Sequence, residues 1–224
     1  LTAATGMDAL AHNVEAFCAP VYHPMAEGIA LEGMRLVKEY LPRAFANGQD
    51  IEARAQMMSA AMMGATAFQR GLGAIHAMSH PIGAHFNTHH GTTNAVCMPA
   101  VLAFNASAIA ERFNMAAAYL GIEGGFEGFC AYVQELNDSL GIPRKLSDLG
   151  VTEASIPDLV KGAISEAKKI GERSEQFSIA GIADRADIGQ VVTAVVEAEV
   201  TIQTVVAIRD KVIEAYKDII RMPM

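Results

Sequence analysis

The chain has 224 residues, 51% of them apolar, with 25 acidic side chains against 17 basic ones and a net charge of −8. That apolar share fills a sizeable globular core and excludes a disordered chain. The acidic balance, with no basic stripe, excludes nucleic acid and other polyanions as partners, because phosphate binding needs a positive field.

Taken in chain order, the elements read as helices. The opening segment, Thr5 to Ala16, has helical character and places Asp8 and His12 four residues apart. Pro24 to Leu41 carries Ile29, Leu31, Met34, Leu36, Val37 and Leu41 at a period near 3.6 with charges between, and Pro42 is expected to end it. Ile51 to Gln69 continues with Met57, Met58, Ala61, Met62 and Ala65. Asn105 reads as an N-cap for Ala106 to Leu120, with Gly121 as the stop. Phe126 to Leu140 forms the next helix, closed by Gly141 and Pro143.

Ser155 with Asp158 three residues on is similar to a capping box for a helix running to about Ile170, although the usual partner is Glu or Gln. Glu172 to Ile188 reads as loop. Val191 to Tyr216, rich in β-branched residues, reads as helix on its length and polar tail. Its most apolar part, Val191 to Ile208, is interrupted by Glu197, Glu199 and Gln203 and makes a poor membrane span. The expected fold class is all-α, a multi-helix bundle. Twelve methionines are read as adaptable core filling. Cys18, Cys97 and Cys130, odd in number and without a Cys-x-x-Cys pair, fit thiols in a reducing cytoplasm. No signal peptide is expected ahead of the first helix.

Chemistry concentrates in the histidines. Five of the seven, His76, His80, His85, His89 and His90, fall within fifteen residues, where an even spread would put about half a histidine. His76 and His80 repeat the Asp8–His12 spacing, and residues at i and i+4 share a helical face about 5–6 Å apart at Cβ. One carboxylate with three imidazoles suits a divalent first-row ion such as Fe(II) or Zn(II), whereas an oxygen-only site would suit magnesium or calcium. Spacing alone does not choose between His89 and His90. On its own, an Asp–His pair at this spacing is more often a solvated pair than a ligand pair. His85 reads as a bystander, and His23, between Tyr22 and Pro24, as a loop histidine.

The segments TAATGMDALAHNVEAF and GLGAIHAMSHPIGAHFNTHHGTTNAVCMPAVLAFN resemble the metal-binding helical domain of the iron-containing, or group III, alcohol dehydrogenases. Leu140-Gly-Ile-Pro-Arg-Lys-Leu146 and Leu149-Gly-Val151 extend the resemblance, which fades beyond about Gly171. It implies the C-terminal domain of a dehydroquinate synthase-like fold, with Asp8, His12, His76 and His90 as metal ligands. It also implies that His80 faces nicotinamide and substrate, in a catalytic and cofactor-binding role. Dehydroquinate synthases carry glutamate where Asp8 stands, and zinc-dependent glycerol dehydrogenases use fewer histidines, so the iron-type branch fits best. Fe(II) is the expected metal, with Zn(II) as the alternative, and NAD(P) is expected in the full-length enzyme.

The resemblance further implies an N-terminal α/β domain with a glycine-rich pyrophosphate loop. No Gly-x-Gly-x-x-Gly follows a strand here, so residues 1–224 read as one helical metal-binding domain whose dinucleotide-binding partner lies elsewhere. The expected function is interconversion of a small alcohol with an aldehyde or ketone by hydride transfer, in a homodimer, with this chain inactive by itself. The alternative is a non-catalytic metal-binding helical module. A third reading, a metal hydrolase, lacks a clear general base unless Glu15 serves.

Overall fold

The structure, a computed structural model, describes residues 1–20, 22–71 and 73–166. Six main helices occur among the described residues: α1 (Thr2–Cys18), α2 (Pro24–Ala46), α3 (Ile51–Ala67), α4 (Ala74–Phe86), α5 (His90–Leu120) and α6 (Gly125–Ser139). Three short 3-10 turns and a helical stretch at 156–166 accompany them, and no strand occurs among the described residues. The all-α expectation holds. The end of the helix expected to reach Ile170, the loop at Glu172–Ile188 and the helix at Val191–Tyr216 lie outside the described residues.

The bundle is organised around α1, which packs against α2, α3, α4 and α5. Its buried positions include Met7, Leu10, Ala11, Val14, Ala16 and Phe17, so apolar residues face out on more than one side. A helix buried on several sides needs its polar side chains answered by neighbours. Asn13, fully buried, donates to Ala9 O at 2.8 Å and to Ala60 O at 3.1 Å, tying α1 to α3. Arg70 donates to Ala16 O and Ala19 O at 3.0 and 2.6 Å, capping the carbonyl end of α1. At the far side of the core Phe113 packs against Phe17, Phe126 and Phe129, at ring separations of 4.6–6.1 Å.

Several boundaries differ from the sequence reading. His23 is more than a loop residue: its Nδ1 accepts from Ala26 N at 3.2 Å and caps α2. Pro42 does not end α2, which continues to Ala46 because Leu41 and Ala44 remain buried against the core. Asn105 is not a cap, since α5 runs unbroken from His90 to Leu120. The Ser155 hydroxyl donates back to Thr152 O at 2.6 Å, inside a 3-10 turn, and forms no capping box. Gly121 does stop α5 as expected, at φ +65°. By length and composition α5 could cross a membrane, but half of that window is buried inside the bundle.

Pro99 sits within α5 and cannot donate to the carbonyl of Ala95, four residues back. That carbonyl is taken by Asn137 Nδ2 of α6 at 2.9 Å, with Asn137 almost fully buried. A side chain from the next helix thus supplies the hydrogen bond that proline withholds. Asn137→Ala should therefore destabilise the fold by about 1–3 kcal/mol, the cost of a stranded buried acceptor. Adding Pro99→Ala should return much of the loss, because the new amide reaches the same carbonyl. Urea denaturation of the two single variants and the double variant measures this, and simple additivity would refute it.

Candidate metal centre

Three helices deliver the site. Asp8 and His12 lie one turn apart on α1, His76 and His80 one turn apart on α4, and His90 is the first residue of α5. Gly91 lets α5 approach: a Cβ there would collide with the carbonyl oxygen of Ala4 and press on Asp8 Cβ at 3.1 Å. The close approach brings His90 Nε2 to 3.5 Å from Asp8 Oδ1, and His76 Nε2 stands 3.7 Å from the same oxygen. One ligating atom from each of Asp8, His76 and His90 lies within 4.8 Å of the others. His12 adjoins this group, its ring stacked on that of His76 at 4.6 Å and edge-on to Phe68 at 5.2 Å.

His80 stacks on His90 at 5.3 Å and is partly exposed, so it stands on the open side of the cluster. Its Nδ1 meets Glu166 Oε1 at 3.2 Å. His85 and His89 are exposed, and the His85 ring lies 6.5 Å from that of Phe86. The structure thus gathers Asp8, His12, His76, His80 and His90 and leaves His85 and His89 at the surface.

Two participants have roles that the sequence reading did not assign, Glu15 having been weighed there only as a general base for hydrolysis. Glu15, buried on α1, lies 2.6 Å from His76 Nδ1 and accepts from Ile75 N at 2.6 Å. A carboxylate only accepts, so Nδ1 carries the proton and Nε2 is left to face Asp8 and His90. Glu15 was visible as the third member of an i, i+4, i+7 stripe with Asp8 and His12, but nothing in the sequence located its partner. The second participant is Asn94, fully buried and one turn beyond His90. Its Nδ2 lies 2.7 Å from Asp8 Oδ1, 3.0 Å from His76 Nε2 and 3.1 Å from His90 Nε2. An amide has two hydrogens for these three acceptors, and its own Oδ1 has no partner among the described residues.

The electrostatics favour a bound cation. Burial pulls His12 and His90 below the ordinary histidine value despite the nearby Asp8, which favours the neutral form of both rings. Burial raises Asp8, but His76, His12, Asn94 and His90 together outweigh it and hold its carboxyl below the usual value. Burial also pulls His76 down, yet hydrogen bonds and charge from Asp8 and Glu15 prevail and push it up to about 9. A ring protonated at Nε2 and an amide donating to Nε2 exclude each other. Protonation there goes with a half-turn of the Asn94 amide, bringing the partnerless Oδ1 to the new N–H. One carboxylate and three imidazoles, those of His12 and His90 neutral and that of His76 giving up its Nε2 proton to an incoming cation, form a donor set that fits a divalent first-row ion.

The model of the Fe-containing alcohol dehydrogenase family, C-terminal part, matches residues 2–185. The 4-hydroxybutyrate dehydrogenase of Cupriavidus necator is 44% identical over 173 residues, covering 73% of this chain and 45% of that protein. The NAD-dependent methanol dehydrogenase of Bacillus methanolicus is 41% identical over 174 residues, covering 74% and 46% respectively. Among solved structures, a 1,3-propanediol oxidoreductase superposes with a TM-score of 0.71 at 37% identity, over 74% of this chain and 45% of that one. The iron-containing alcohol dehydrogenase of Thermococcus thioreducens gives 0.66 at 33%, over 73% and 44%. The fold and site define an all-helical domain with histidines from two helices gathered against an aspartate of a third. The chain belongs to the Fe-containing alcohol dehydrogenase family, in its C-terminal part, and spans less than half the length of these relatives.

The histidine shifts give metal-free protein a stability maximum. His76 has a folded value, about 9, above its unfolded 6.5, so its contribution is fully present below pH 6.5 and is lost as pH rises towards 9. His12 and His90 are lowered from 6.5, so their contribution is lost as pH falls below that value. Denaturation midpoints of chelator-treated protein should peak near neutral pH and fall towards pH 9. The fall should shrink in His76→Ala; an identical fall in both proteins would contradict the assignment.

Proposed function

We propose that the chain is the metal-binding catalytic domain of an NAD(P)-dependent alcohol dehydrogenase, interconverting an alcohol and an aldehyde or ketone by hydride transfer. The convergence of Asp8 Oδ1, His76 Nε2 and His90 Nε2, drawn from three helices, carries this reading. Asp8, His12, His76 and His90 would hold the metal, with Fe(II) as the resident ion and Zn(II) as the alternative. When bound, such an ion supplies a Lewis acid that lowers the pKa of an alcohol hydroxyl and polarises a carbonyl oxygen.

The chain's own residues supply the rest. Asp8 contributes negative charge that the neutral imidazoles of His12 and His90 do not oppose. His80, partly exposed beside His90 and held by Glu166, would face the substrate cleft, orient substrate and the nicotinamide and exchange a proton with water. Coverage of less than half of each relative supports a further, N-terminal dinucleotide-binding domain as the partner that completes the cleft. The relatives are named for 4-hydroxybutyrate, methanol and 1,3-propanediol, all of which carry a primary hydroxyl. A small primary alcohol is accordingly the proposed substrate class. The hydrolase alternative loses support because Glu15 is buried behind His76, with its oxygens committed to Ile75 N and His76 Nδ1.

His76→Ala or Asp8→Ala should abolish stoichiometric metal uptake after anaerobic reconstitution with Fe(II) or Zn(II), whereas His85→Ala should leave it intact. In the full-length enzyme, His80→Ala should retain metal and lose turnover. Elemental analysis and NAD(P)-linked assays read these outcomes. Metal retained in both ligand variants would remove the basis of the site, and a full-length enzyme with metal but no alcohol-linked reduction of NAD(P) would favour the non-catalytic module.

A further inference from the structure

We propose that Glu15 is a positioning residue that selects which nitrogen of His76 faces the metal, and that Gly73 exists in this place to give Glu15 room. The inference rests on the metal-centre reading above and adds a residue outside its ligand set.

Glu15 stands seven residues after Asp8 on α1, two helical turns along the same face. Its side chain is 4% exposed and spans two elements. Oε1 accepts the Ile75 amide, one of the N–H groups that the first turn of α4 leaves without an intrahelical partner. Oε2 accepts from His76 Nδ1. A carboxylate is well suited to both tasks, since it carries only acceptors and its charge complements the positive end of α4. A glutamine could satisfy one contact with its oxygen, but would turn an N–H2 group towards the other. If that group donated to Nδ1, the proton of the neutral ring would move to Nε2, where it competes with the cation.

Gly73 supplies an independent observation. A Cβ built there would lie 2.7 Å from Glu15 Oε1 and 3.0 Å from its Cδ. The Gly73 backbone, at φ −113° and ψ −159°, is extended and open to any residue. The requirement for glycine at this position is therefore steric and is directed at the Glu15 carboxylate. Gly73→Ala should displace that carboxylate while leaving every proposed ligand in the sequence.

The test measures Zn(II) affinity of the full chain by competition with a chromophoric chelator at fixed pH. Wild type is compared with Glu15→Gln and Gly73→Ala, and thermal unfolding of each metal-free protein is recorded as a control. Loss of an outer partner of a metal-bound histidine typically costs 10–100-fold in affinity, and a loss of about that size is expected in both variants. Imidazole nitrogen spectra of the zinc form should show Nδ1 of His76 protonated and Nε2 metal-bound in wild type, a pattern that a merely structural role for Glu15 does not require. Wild-type affinity in a folded Gly73→Ala protein, or a metal on Nδ1, overturns the inference, and Gly73→Ala decides the matter if Glu15→Gln does not fold. A wild-type chain that binds no zinc would instead overturn the metal-centre reading on which the inference rests.

Discussion

The enclosure of α1 is the constraint from which the site follows. With neighbours on several sides, the buried polar side chains of this helix find partners on other elements. Asn13 answers to α3, Asp8 to the start of α5, and Glu15 to the start of α4. Each of these contacts fixes the position of a neighbouring helix, and two of them bring a helix N-terminus against the same stripe of α1. The cluster of Asp8, His76 and His90 is thus a by-product of how the bundle closes.

The same constraint explains why the centre is acidic and acceptor-rich. Asp8 and Glu15 flank His76 from opposite sides and raise its affinity for a proton, while burial makes His12 and His90 reluctant to carry one. A buried set of this kind has more lone pairs than hydrogens. Asn94 supplies two of the missing hydrogens and leaves its own oxygen without a partner among the described residues. A divalent ion would answer all the lone pairs at once, so metal binding and stability of the bundle should be coupled.

Much of this was legible in the sequence. The i, i+4 pairs Asp8–His12 and His76–His80 fall on helices as their spacing implies, and helix follows helix without a strand among the described residues. His89 and His90 are adjacent and could not be separated by spacing; the structure places His90 in the cluster and His89 at the surface. What the sequence hid were long-range answers to local problems. Asn105 reads locally as a helix N-cap, yet α5 passes through it and through Pro99, with Asn137, 38 residues after Pro99, taking the carbonyl that the proline orphans. Glu15 and Asn94 carry no motif of their own, and their roles emerge only when α4 and α5 are laid against α1.

The most direct test of the central claim is X-ray absorption spectroscopy of the full chain reconstituted anaerobically with one equivalent of Fe(II) or Zn(II). The account predicts a first shell of nitrogen and oxygen at about 2.0–2.2 Å with outer-shell scattering from about three imidazoles. A shell containing sulfur, or one of oxygen alone without imidazole scattering, would contradict it.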